Sequence, residues 1–305
     1  MLCAKEQLIS ERLPLLRQLL NPCRLCPRNC GVDRLHDKQG FCRIGGQIRV
    51  ASWAQHRGEE PPISGSHGSG AIFASGCTLG CFFCQNFPFS QLGNGQLMSA
   101  DELGAIYSRL ARNGIHNLNF VTPTHVLPML LEAWLCSDER AKALPLVYNC
   151  SGYESAEVID LLDGIVDIWL PDIKYSQNSV AAELSNVSDY VEVNRRTLRK
   201  MWDQVGLLQV DPTTGIASRG MIIRHLVLPQ GLAGSADSLL WLRQEFGADV
   251  FLSVMSQYFP AYKAFEHPIM SRSLEPEEYI AVLDLIEELG FTNVWAQDPT
   301  ERGGA

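Results

Sequence analysis

The sequence predicts an α/β protein, built as a partial (β/α)6 barrel behind a small cysteine-rich segment. Three observations carry that prediction. From residue 70 onward, short apolar runs alternate with helical patterns. The runs are apolar almost throughout, as in parallel strands covered on both faces. Polar or special residues follow the ends of successive runs, where β/α barrels place their chemistry.

The chain opens with Cys23, Cys26, Cys30 and Cys42, in "CRLCPRNCGVDRLHDKQGFC", among the turn formers Pro27, Gly31, Gly40 and Gly45. A Gly-, Pro- and Ser-rich stretch, "GEEPPISGSHGSG", marks a boundary near residue 65. Residues 1–65 then form the metal-binding segment and 66–305 the barrel.

Strands are expected at "AIFAS" (71–75), "NLNFV" (117–121), "PLVYN" (145–149), "VDIWL" (166–170), "MIIRHLVL" (221–228), "DVFLSV" (249–254) and "TNVW" (292–295). Between the first two, Ser99 and Glu102 make a capping box, with Leu103, Ile106, Tyr107 and Leu110 on one face and Gly114 as the stop. Near the end, Pro276 opens a helix that turns Tyr279, Val282, Leu283, Ile286 and Leu289 inward before Gly290 closes it. Strand and helix repeat about six times, which implies right-handed crossovers.

Composition narrows the function. The 305 residues are 46% hydrophobic and 19% charged, enough for an ordinary core without a disulfide framework. A net charge of −9 speaks against a nucleic-acid surface. No apolar run approaches the ~20 residues that span a bilayer, and "MLCAKEQLIS" has no secretory pattern, so a cytoplasmic protein is expected.

Ten cysteines hold most of the information. In "GCTLGCFFCQN", Cys77, Cys81 and Cys84 follow the first strand on a loop that Gly76 and Gly80 let curl. Three thiolates can hold three corners of a [4Fe–4S] cube and leave the fourth iron open. A zinc site completed from elsewhere, or three structural thiols, are the other readings. The four N-terminal cysteines can close a tetrahedral site, with zinc and iron–sulfur both open. Cys3, Cys136 and Cys150 read as small hydrophobes, with Cys150 beside the strand-end polar group.

Other strand ends supply Thr122–Pro123–Thr124, Asn149 with Ser151, Asp172 with Lys174, and Gln257–Tyr258. Asp172 and Lys174 lie two apart and share a face, either as ligand contacts or as a surface ion pair. Arg224 falls within an apolar strand and therefore needs a carboxylate, from a ligand or from the chain. His56, Glu59, Glu60 and His125 are acid–base candidates or parts of solvated loops.

The pattern C-x3-C-x-aromatic-C at Cys77, Cys81, Phe83 and Cys84 resembles the radical S-adenosylmethionine superfamily over about residues 70 to 260. "CRLCPRNCGVDR", "GEEPPISGSHGSG", "CQN", "VTPTH", "NCSGYE", "PDIKY" and "QYFP" together look like an uncharacterised iron–sulfur group related to pyruvate formate-lyase activating enzymes, across nearly the whole chain. The resemblance implies a [4Fe–4S] cluster whose open iron takes the amino and carboxylate groups of S-adenosylmethionine. An electron from the cluster then breaks the bond to C5′, and the 5′-deoxyadenosyl radical abstracts hydrogen from a substrate. The products include 5′-deoxyadenosine and methionine. The substrate is a partner protein, a peptide or a small metabolite, and a flavodoxin or ferredoxin is the expected reductant.

By position, the resemblance places Phe83 by the adenine or cluster and Asn149 and Ser151 by the ribose. Thr122 and Thr124 stand where the superfamily often has Gly-Gly-Glu for the methionyl amine. Asp172 and Lys174 hold the methionyl end or a substrate carboxylate, and Arg224 a carboxylate. No catalytic residue is assigned. Glycyl-radical activating enzymes with extra clusters place those cysteines after the radical motif; here they come before it. The competing reading is a non-catalytic iron–sulfur or zinc module for electron transfer or regulation, with neither nucleic acid nor membrane as a partner.

Overall fold

The apolar runs become the strands of one mostly parallel sheet in the computed structural model, which describes residues 4–298. Its strands are β1 (Ile48–His56), β2 (Ser69–Ala74), β3 (Gln96–Met98), β4 (Leu118–Val121), β5 (Leu146–Cys150), β6 (Ile168–Pro171), β7 (Gln209–Val210), β8 (Ala217–Leu226), β9 (Phe251–Met255) and β10 (Val294–Ala296). The order is β10-β9-β8-β6-β5-β4-β2-β1-β3, with β7 pairing antiparallel to β8. From β2 to β10 the neighbours on this path are parallel.

The seven apolar runs expected from the sequence are the seven parallel strands, and the path runs open from β10 to β3 among the described residues. Two features differ from the expectation. β1 and β3 add an antiparallel edge beyond β2. β1 belongs to the first 65 residues yet registers with β2 from Val50 opposite Ala74 to His56 opposite Ser69. Leu16, Cys23 and Ile48 also share one buried apolar cluster with Ile72 and Phe120. The cysteine-rich segment is thus packed into the same core as the strands that follow.

The helices obey the residues that announce them. Ser99 N donates to Glu102 Oε2 at 2.9 Å and Glu102 N to Ser99 Oγ at 3.3 Å, closing the capping box of the helix Ala100–Arg112. Leu103, Ile106, Tyr107 and Leu110 are buried on its inner face, each worth about 1.5–3 kcal/mol of transfer. Gly104 lets the next helix close in, since a Cβ there would stand 2.7 Å from the Ala133 carbonyl oxygen. In the helix Pro276–Glu288, Tyr279, Val282 and Ile286 are buried, and the Tyr279 hydroxyl donates to Val254 O at 2.9 Å. Among the described residues, no helix is long and apolar enough to cross a membrane.

Parallel neighbours β2, β4, β5 and β6 send their carboxyl ends to one edge of the sheet. That edge brings together the loops holding Cys77–Cys84, Thr122–Thr124, Ser151–Glu154 and Asp172–Lys174.

Candidate functional site

The Cys77–Cys84 loop is clamped from two sides. Gly76 turns it with φ +83°, and a Cβ there would meet the Cys42 carbonyl oxygen at 2.4 Å, so the N-terminal segment lies directly against it. On the other side stands the helix Asn178–Ser185, whose last carbonyls have no partner within the helix. Phe82 N donates to Leu184 O and Gly80 N to Ser185 O, both at 3.1 Å. Arg28 adds a strut, with Nε donating to Thr78 O at 2.5 Å and Nη2 to Asn186 O at 2.9 Å.

Each thiol of the trio has one close polar neighbour. Leu79 N donates to Cys77 Sγ at 3.3 Å, Ser185 Oγ lies 2.8 Å from Cys81 Sγ, and Ser90 Oγ lies 3.2 Å from Cys84 Sγ. Burial pushes the Cys77 thiol up, and Cys81 and Cys84 nearby push it further. Burial also pushes Cys81 up to about 11, with Lys174 pulling it down. The pair therefore keeps its protons at neutral pH until a positive centre arrives, the behaviour of a soft metal-binding set.

Among the described residues, no three or more His, Cys, Asp or Glu side chains gather around a single ion. A lone tetrahedral zinc wants its sulfurs about 3.8 Å apart, from a Zn–S bond of about 2.3 Å. A cube takes one thiolate per corner and sets no such demand. The donor chemistry of the trio fits a cluster; zinc at either cysteine group has no support in the side-chain placement.

Lys174 stands over this loop. Its Nζ lies 2.5 Å from Asp172 Oδ2, and both side chains are one-fifth exposed. Burial alone would lower the lysine pKa, but Asp172, then Cys81, hold it above the ordinary range. Of the two readings of these residues, ligand contacts or a surface ion pair, an ion pair forms, but it is sunk beside the thiols rather than at the surface. Phe83 is buried, edge-on to Tyr258 at 6.0 Å, in one apolar cluster with Cys81 and Tyr175. The Tyr258 hydroxyl donates to Met270 O at 2.6 Å, and Gln257 O accepts from Gln85 Nε2 at 2.8 Å, as loop packing predicts.

The threonines divide. Thr122 is half-buried with φ +53°, its amide donating to Asn149 O at 2.8 Å. Thr124 is enclosed, and its hydroxyl donates to Glu154 Oε1 at 2.9 Å, which commits it inside the chain rather than to a ligand amine. Tyr148 OH reaches the other oxygen of Glu154 at 3.3 Å, and burial pushes that carboxyl up to about 7. Asn149 is half-buried at the end of β5, and the Ser151 carbonyl accepts from Tyr190 OH at 2.8 Å.

Arg224 finds its carboxylates within the chain. Its Nε donates to Glu60 Oε1 at 2.6 Å, its Nη2 to Glu60 Oε2 at 2.7 Å, and Nη2 also pairs with Glu59. Glu59 and Glu60 are buried, so the solvated-loop reading of this stretch is corrected, and both carboxylates are held by the arginine. His125 is likewise buried, with Nε2–H donating to Ser75 O at 2.7 Å, and burial pushes its pKa down to about 4.

A buried arginine lies beside two of the N-terminal cysteines, Cys23 and Cys42. Arg34 donates from Nε and Nη2 to Gly45 O at 3.1 and 3.0 Å, and its Nη1 stands 4.0 Å from Cys23 Sγ. Burial pushes Cys26 up to about 12, and raises Cys42 against the pull of Arg34. Cys30 is exposed and borders a cleft of about 480 Å³ lined also by Arg28, Phe41, Tyr153 and Asp189. Cys150 is buried, Cys136 exposed, and Cys3 lies outside the described residues.

Sequence reasoning missed Arg28, Arg34, Ser90, Glu154 and Ser185. Arg28, Arg34 and Glu154 stood inside quoted motifs without being singled out, and no local pattern ties Ser90 or Ser185 to the thiols.

No family model matches the chain. The chain is 30% identical over 300 residues to an uncharacterized protein of Methanocaldococcus jannaschii (MJ0674), covering 95% of this chain and 82% of that protein. Among solved structures, it is similar to a crystal structure of HydG, a maturase of the [FeFe]-hydrogenase, with a TM-score of 0.47 and 10% identity. That alignment covers 72% of this chain and 49% of the other, so the chain spans about half of that protein's length.

Proposed function

The chain belongs to the same family as that Methanocaldococcus jannaschii protein, and we propose, from its own residues, that it is a radical S-adenosylmethionine enzyme. One observation carries the reading: three thiols, Cys81 buried and Cys77 and Cys84 half-buried, on a single clamped loop at the carboxyl edge of a parallel sheet, with Lys174 beside them. Held by Cys77, Cys81 and Cys84, a [4Fe–4S] cluster would supply the single electron needed to cleave the sulfonium bond of S-adenosylmethionine to C5′, the chemistry that gives methionine and a hydrogen-abstracting 5′-deoxyadenosyl radical.

The chain's own residues hold and shield that chemistry. Cys77, Cys81 and Cys84 would supply the thiolates, and their number leaves one iron for the cofactor's amino and carboxylate groups. Lys174, kept charged by Asp172, stands ready for a carboxylate at the methionyl end. Asn149 and Ser151 offer polar groups at the end of β5, and Thr122 at the end of β4. Phe83, Tyr175 and Tyr258 wall the loop with apolar surface and keep water away. Arg224 is spent on Glu59 and Glu60, so it orders the sheet interior and leaves carboxylate binding to Lys174. The cysteines at 23, 26, 30 and 42 would form a second metal site, zinc or iron–sulfur, and the substrate would be a partner protein, a peptide or a small metabolite.

The test is anaerobic reconstitution with iron and sulfide, chemical reduction, addition of S-adenosylmethionine and chromatography for 5′-deoxyadenosine. The expected result is 5′-deoxyadenosine with matching methionine, absent from Cys81→Ala. A loaded, reduced protein that forms neither product is a non-catalytic metal module.

A further inference from the structure

Cys81 has the most enclosed donor of the three thiols. Ser185 Oγ lies 2.8 Å from Cys81 Sγ, and Ser185 has no exposed surface. Behind it, Tyr175 OH lies 2.6 Å from the same Ser185 oxygen and is itself 1% exposed. The three atoms form a buried line, phenol to hydroxyl to sulfur, within the apolar cluster that also holds Phe83.

Metal coordination fixes the direction of both bonds. A coordinating cysteine is a thiolate with no proton of its own, so it can only accept. Ser185 has a single proton, which must then point at Cys81. Its oxygen is left to accept, and the Tyr175 phenol, which burial keeps protonated, is the donor. A donor that itself accepts a hydrogen bond is polarised and binds its acceptor more strongly.

Backbone bonds hold the hydroxyl in place. Ser185 O accepts from Gly80 N and Leu184 O accepts from Phe82 N, so the residue that touches Cys81 also anchors the loop on either side of it. Cys84 differs, since its partner Ser90 is half-buried, 3.2 Å away, and flanked by Gln91 Nε2 at 3.4 Å.

We infer that Ser185, oriented by Tyr175, is a positioning residue that sets the reduction potential of a cluster on this loop through Cys81. The inference rests on the cluster reading proposed above. Hydrogen bonds to cluster sulfurs stabilise the more negative, reduced state and move the potential upward. Removing this one favours the oxidised state.

The experiment is a potentiometric titration of the anaerobically reconstituted full chain, following the electron-resonance signal that responds to S-adenosylmethionine. Wild type is compared with Ser185→Ala, Ser185→Thr and Tyr175→Phe at equal iron content. Ser185→Ala is expected to shift the reduced-to-oxidised ratio about tenfold toward oxidised, a potential about 59 mV more negative. Ser185→Thr returns most of the shift by restoring the hydroxyl, and Tyr175→Phe falls between. Equal potentials in Ser185→Ala and wild type overturn the inference, as does a threonine variant that behaves like alanine. Should Ser185→Ala take up no cluster, Tyr175→Phe decides, and an unshifted potential there rejects it. A wild-type chain that loads no cluster on Cys77, Cys81 and Cys84 fails differently: it removes the proposed function itself.

Discussion

The segments that carry the two cysteine groups lie against one another, yet the groups are built on opposite plans. At Cys77, Cys81 and Cys84, each sulfur has its own small polar neighbour, and the cation above them, Lys174, is held by Asp172. In the group of Cys23, Cys26, Cys30 and Cys42, the cation lies beside the sulfurs of Cys23 and Cys42: Arg34 is buried, donates twice to Gly45 O and approaches Cys23. One group keeps its positive charge to one side, where it can meet a ligand. The other has an internal countercharge and one exposed thiol at a surface cleft. The difference separates a site organised to bind something new from one organised to hold the chain together.

The sharpest way to break that comparison is to remove one thiol from each group. Cys77→Ala is expected to abolish loading of the trio, with loss of all four irons of its cube and of all 5′-deoxyadenosine, while any metal on the N-terminal cysteines stays. Cys23→Ala is expected to do the reverse. Iron and zinc analysis of the two variants reads both outcomes, and loss of the same metal from both would merge the sites into one.

The next effect lies at Glu154, in the field of Cys26 and beside Cys150. Its carboxyl releases its proton near pH 7 when folded, against an ordinary 4.5. The folded state therefore binds more protons than the unfolded state between these values. The contribution to stability is complete below about pH 4.5 and is lost as the pH rises through 7, by roughly 3 kcal/mol. Urea unfolding between pH 4.5 and 8 should show wild type losing that much more than Glu154→Gln; parallel curves would place Glu154 in contact with a cation.

Smaller changes sharpen the contrast. Arg34→Leu leaves Gly45 O without its donors and should cost about 1–3 kcal/mol in urea unfolding, with iron on the trio unchanged. Ser90→Ala removes a half-buried partner of Cys84 and should cost about 1 kcal/mol or less by the same measurement. A larger cost at Ser90 than at Arg34 would reverse the assignment of structural weight.

Much of the frame was legible because it is local. The strands announced themselves as apolar runs, and Ser99 with Glu102 wrote a helix start that the side chains carry out. The cysteine spacing and the strand-end position of Asp172 and Lys174 were also visible, since neighbouring residues settle them. β1 was not read, although Ile48 and Val50 alternate inward, because the strand continues through the exposed Ser52 and the half-buried Gln55. The partners of the key groups were invisible for a different reason. Cys81 meets Ser185 across 104 residues and Arg224 meets Glu60 across 164, contacts fixed only when the sheet places its edges together. Thr124 shows the cost of reading position alone: its strand-end place suggested a ligand contact, and its hydroxyl is bound to Glu154.

One measurement bears most directly on the open corner of the cube. The reduced, reconstituted chain is mixed with S-adenosylmethionine carrying ¹⁵N in its amino group, and the paramagnetic cluster is probed for coupling to that nucleus. The account predicts a ¹⁵N coupling, lost in Cys81→Ala. A fully loaded and reduced cluster whose spectrum is the same with and without the labelled cofactor would contradict it.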